Sequence, residues 1–122
     1  MITNLKFASV PVSDQARALA FWTEAVGFTL LTDQPMGEDR RWIELGVANS
    51  STRIVLFKPD PSEEDRIGRP FYGAFACDNV EATYRQLSAR GVEFTAPPVT
   101  SDWGGFAKFR DPDGNEFVLS AR

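Results

Sequence analysis

A chain of 122 residues, 43% hydrophobic and 25% charged, has the size and make-up of one ordinary globular domain and is too short for two independent ones. Its net charge of −4, with basic residues scattered along the chain, excludes the clustered Lys and Arg of a nucleic-acid binder. No apolar run approaches the ~20 residues that span a bilayer, the opening MITNLKFASV lacks the blocks of a secretory leader, and the one cysteine, Cys77, has no internal partner. These features predict a cytoplasmic protein with neither nucleic acid nor membrane as a partner.

In chain order, Leu5 to Val12 reads as a strand. In PVSDQARALAFWTEAVGF, Ser13 or Asp14 is the expected helix N-cap, Ala18, Phe21, Trp22 and Ala25 follow at helical spacing, and Gly27 is the stop. That spacing assigns Trp22 to the core. Three β-like runs come next, Thr29 to Thr32, Arg41 to Gly46 and Arg53 to Phe57. The segment KPDPSEEDRIGRP, rich in charge, Pro and Gly, reads as a linker, with SEED at 62–65 as a solvated helix start.

The second half repeats the plan. A strand from Tyr72 to Cys77 leads to Asp78 as expected cap, then to Val80, Thr83, Tyr84 and Leu87 on one helical face, with Gly91 as stop. Strands follow at Glu93 to Thr95, Gly105 to Arg110 and Glu116 to Leu119. Asp14, Ala18 and Gly27 recur as Asp78, Ala82 and Gly91, each 64 residues on. Asp111, Pro112, Asp113, Gly114 and Asn115 suit a tight reversal between the last two strands. Cys77, with apolar neighbours, is expected to be a buried, inert thiol. The chain thus reads as an α+β protein of two tandem βαβββ modules. Module 1 covers residues 1–57, the linker 58–70 and module 2 residues 71–122, together one domain. The modules are expected to pack with curved mixed sheets around a shared cleft.

The paired βαβββ plan, with VSDQARALAFWTEAVGF, NVEATYRQLSARGVEF and FRDPDGNEFVL in that order, resembles the vicinal oxygen chelate superfamily of glyoxalases, dioxygenases and bleomycin-resistance proteins. In its metal-dependent members, His, Gln or Glu on the first and last strands of each module hold a divalent ion that polarises substrate oxygens. By the resemblance, those places fall here on Phe7, Val55, Tyr72 and Val118. Phe and Val offer no lone pair, a neutral Tyr is a poor ligand, and the chain contains no histidine. No metal and no cofactor are therefore expected.

The expected ligand-binding cleft is apolar and lined by Phe7, Trp42, Val55, Tyr72, Trp103 and Val118, with Trp103, beside two glycines, placed either to close over a ligand or to anchor its loop. Glu44 shares a strand face with Trp42. It is a weak catalytic candidate if that face is the cleft and a solvated strand residue otherwise, the second being favoured. Arg40, Arg41 and Arg53 are possible anchors for an anion, against the commoner reading as surface residues. The favoured function is metal-independent binding of a small aromatic or cationic molecule, in a homodimer by resemblance to the bleomycin-resistance branch. The alternative is a divergent glyoxalase-type lyase or isomerase, or a dioxygenase, acting on an unknown small substrate.

Overall fold

A computed structural model describes residues 1–102 and 104–122. The chain forms two compact units, Met1–Ile67 and Gly68–Arg122, and each holds one four-stranded mixed sheet.

In the first unit the strands are β1 (Phe7–Pro11), β2 (Thr29–Pro35), β3 (Arg41–Gly46) and β4 (Arg53–Phe57), in the order β1-β4-β3-β2. Strand β1 runs parallel to β4, and the other pairs are antiparallel. Alternation sorts the side chains. Val10, Val12, Ile43, Leu45, Ile54 and Leu56 are buried together with Ala18 and Trp22 of the helical segment. Trp22 is fully buried and stacks on Phe28, with ring centroids 5.1 Å apart.

The second unit repeats the order as β5-β8-β7-β6, with β5 (Pro70–Cys77), β6 (Glu93–Phe94), β7 (Phe106–Arg110) and β8 (Glu116–Ala121). Helix α2 (Val80–Ala89) buries Val80 and Leu87, and Tyr84 meets Phe94 edge-on at 4.8 Å. The core is a run of phenyl rings. Phe117 lies 5.4 Å from both Phe71 and Phe109, and Phe94 is 5.8 Å from Phe109.

The helical segments differ in a way that corrects the sequence reading. Helix α1 (Gln15–Ala20) is capped by Asp14, whose carboxylate accepts from the Arg17 N–H. The cap of α2 is Asn79, accepting from the Ala82 N–H at 2.8 Å, and not Asp78. Both segments end on a glycine in the left-handed region, Gly27 at φ 95° and Gly91 at φ 91°. From cap to glycine the first module therefore has one residue more than the second. The extra residue is taken up by π-helical turns at Phe21–Val26, where the Gly27 N–H donates to the Trp22 carbonyl five residues back. The constant 64-residue offset hid this because Asp78 adjoins the true cap.

Other boundaries move modestly. Strand β2 continues to Pro35, which pairs with Arg41 of β3, and β8 to Ala121, which pairs with Cys77 of β5. Within the predicted linker, Pro61–Arg66 forms a 3₁₀ helix in place of an α-helix start. Cys77, at the end of β5, is half-buried rather than enclosed.

The predicted reversal at 111–115 is present and more organised than a bare hairpin turn. Asp111 is buried, and its carboxylate accepts from the Asp113 N–H at 3.0 Å, the Asn115 N–H at 2.9 Å and the Asn115 side-chain amide at 2.8 Å. Asn115 in turn accepts from the Gly68 N–H at 2.7 Å, fixing the start of the unit to its last hairpin. Burial outweighs these bonds and raises the Asp111 carboxyl to about 6.

Candidate functional site

The face of the first sheet opposite the buried set forms the wall of a cavity of about 550 Å³, and every residue lining it belongs to the first unit. Strand β1 contributes Phe7, Ser9 and Pro11, β4 contributes Val55 and Phe57, and β3 contributes Trp42. Their convergence follows from register. Ser9 pairs with Val55 and Val55 with Glu44, so alternate positions of three strands point the same way. The Phe7 and Trp42 rings meet edge-on, centroids 5.7 Å apart and planes at 85°, an arrangement that matches ring edge to ring face. Met36, Arg40, Arg41, Lys58, Pro59, Asp60, Glu63 and Arg66 also line the cavity, with Gln15 from α1.

Gln15 sits at the helical spacing of Ala18 and Trp22, on the buried face, and is itself buried. Its amide nitrogen donates to the carbonyls of Arg41 at 2.6 Å and Leu56 at 2.9 Å, and its oxygen accepts from the Arg41 N–H at 2.9 Å. One side chain thus locks the helix start to β3 and β4 beside the cavity. The available signal was a polar residue in phase with the apolar stripe, which must find partners when buried.

Glu44 is not the solvated residue favoured from sequence. Its side chain is 14% exposed. Its oxygens accept from the Trp42 indole N–H at 2.7 Å and from Arg53 at 2.9 Å. The indole bond, then Arg53, hold the carboxyl below the usual range. An ionised carboxylate so engaged is a weak proton acceptor.

Of the residues expected to form the cleft, Phe7, Trp42 and Val55 come together on this cavity. Tyr72 and Val118 lie in the second unit, where Val118 pairs with Ala74 and Lys108 in one row. Tyr72 is 97% exposed. Trp103 lies outside the described residues. Met36, Phe57 and Lys58 were missed because they sit at strand ends and on loops, where alternation gives no direction to a side chain.

The residues at the four ligand places do not fit a divalent metal. Phe7, Val55 and Val118 have no donor atom; their row neighbours are Arg53, Ser9, Glu44, Ala74 and Lys108, and the one carboxylate among these, Glu44, is engaged by Trp42 and Arg53. Among the described residues, no group of three or more His, Cys, Asp or Glu stands together as a metal site requires. No helix among them is long and apolar enough to cross a membrane.

A duplicated βαβββ chain with two four-stranded mixed sheets and few helices is an α+β architecture, that of the glyoxalase/bleomycin-resistance fold. The chain belongs to the Glyoxalase/Bleomycin resistance protein/Dioxygenase superfamily, whose model matches residues 4–119. It is 36% identical over 119 residues to the protein YetH of Bacillus subtilis (strain 168), covering 98% of each chain. Among solved structures it resembles TnmS3, an antibiotic binding protein from Streptomyces sp. CB03234, at 37% identity and TM-score 0.82, over 98% of this chain and 96% of that one. It also resembles a superfamily member from Sphaerobacter thermophilus DSM 20745, at 31% identity and TM-score 0.87, over 99% of this chain and 98% of that one.

Proposed function

We propose that the protein binds a small planar aromatic molecule without a metal, and that the Phe7–Trp42–Val55–Phe57 wall is where the rings lie. The observation that carries this reading is the edge-to-face pair of Phe7 and Trp42 on a cavity whose family ligand places hold only hydrocarbon side chains. Such a surface offers stacking and burial and gives no means of activating a bound oxygen. The likeness to an antibiotic binding protein at 37% identity supports a binding role. Of the two ligand types expected, the lining favours the aromatic over the cationic, because four basic side chains, Arg40, Arg41, Lys58 and Arg66, face two acidic ones, Asp60 and Glu63. The protein is read as a homodimer, as the resemblance implies, and the bare sheet face around Tyr72 is a surface that a second copy would cover.

The second reading, an enzyme using Glu44 as base, is opposed by the two hydrogen bonds that occupy that carboxylate. Calorimetric titration with a tricyclic quinone, together with an assay of methylglyoxal hemithioacetal turnover, separates the two. Saturable binding, weakened on the order of tenfold by Trp42→Ala, and no turnover are expected. Turnover that is lost in Glu44→Gln would establish the enzyme instead.

A further inference from the structure

We propose that the ligand of this cavity carries an acidic group, a carboxylate or an acidic phenol, held by Arg40 and Lys58 while its rings lie on Phe7 and Trp42. This rests on the reading of the cavity as an aromatic-ligand site and narrows the chemical class.

Three observations point the same way. The Arg40 Nε–H is buried and has no hydrogen-bond partner, although the same guanidinium bonds Asp60 at 2.8 Å through its terminal nitrogen. Arg40 lines the cavity, and by turning the edge that carries this unpaired N–H toward it the guanidinium takes an oxyanion in the two-pronged geometry that arginine prefers. Next, the ion pairs at the mouth are asymmetric. The side chains of Arg40 and Lys58 are 33% and 35% exposed, whereas their partners Asp60 and Asp39 are 62% and 73% exposed. The cations are the less exposed member of each pair, so the acids can turn to water at little cost when an anion arrives, as solvent-exposed pairs contribute little. Finally, the other cations near this face are committed. Arg41 donates two hydrogen bonds to Asp33, Arg53 is held by the half-buried Glu44, and Arg66 is paired with Glu63 at 2.9 Å.

A matched pair of probes tests the proposal: 2-naphthoate and the neutral 2-naphthylmethanol, titrated by calorimetry into the whole protein. The naphthoate is expected to bind about tenfold more tightly, an advantage that shrinks as salt is raised and is lost in the Arg40→Gln/Lys58→Gln variant, where the two probes bind equally. Asp60→Asn, which frees Arg40 without removing a cation, is expected to strengthen naphthoate binding severalfold, and serves if the double variant does not fold. Equal or tighter binding of the alcohol overturns the acidic-group assignment and leaves the aromatic reading standing. Binding of neither probe overturns both.

Discussion

The two units carry the same strand order on different materials. In the first, the buried face is aliphatic around a single tryptophan, and the aromatic and charged side chains stand on the other face, around the cavity. In the second, the phenylalanines are gathered beneath α2, and the opposite face carries Tyr72, Ala74, Lys108 and Val118. Strand pairing and helix capping constrain the backbone of both copies alike. The outward positions of each strand are free of that constraint, so there the copies have diverged and one of them has become the wall of a cavity.

The largest expected effect tests the two cores. Trp22→Ala and Phe117→Ala each remove a fully buried ring and are expected to cost about 3–5 kcal/mol, read as a fall in the urea midpoint. Equal tolerance of Trp22→Ala and of a surface substitution would mean that Trp22 does not anchor the first unit.

A smaller effect belongs to the second unit alone. Asp111→Ala strips the acceptor from three donors and is expected to cost about 2 kcal/mol. The carboxyl also gives the unit a pH signature. Its folded value of about 6 lies above the ~3.9 of an unfolded chain, so the native state binds this proton more tightly. Its contribution is fully present below about pH 4 and is lost as pH rises through about 6. Stability measured at intervals across that window should fall more in the wild type than in Asp111→Asn. Parallel curves would show that Asp111 titrates normally.

The smallest effect sharpens the comparison of helices. Asn79→Ala should cost about 1 kcal/mol as a lost cap, whereas Asp78→Ala should change stability by only a few tenths, because among the described residues Asp78 forms an exposed pair with Arg122. The reverse ranking would restore Asp78 as the cap and remove the need for an extra residue in the first helical segment.

The duplicated plan was legible because it rests on local signals. Gly27 and Gly91 mark the helix ends, and Arg41–Gly46 and Arg53–Phe57 are strands with the predicted bounds. Trp22 declared itself core through its phase with Ala18. Phe7, Trp42 and Val55, which the sequence reading put at ligand positions or on a strand face, line one cavity. Gln15 and Lys58 were not found, because each owes its place to a partner or wall distant in sequence. Glu44 was misjudged for the same reason: a carboxylate on a strand looks solvated until the indole beside it and Arg53 on the next strand are brought against it.

The sequence by itself determined the order of strands and helices, the twofold repeat and the absence of histidine, since turn chemistry, periodicity and side-chain identity are properties of short segments. Only the tertiary structure decided which strand faces meet solvent, which ion pairs form and where an aromatic wall stands beside Arg40 and Lys58. Those outcomes depend on strand register, which brings residues such as Ser9, Val55 and Glu44 into one row across separations that no local signal spans.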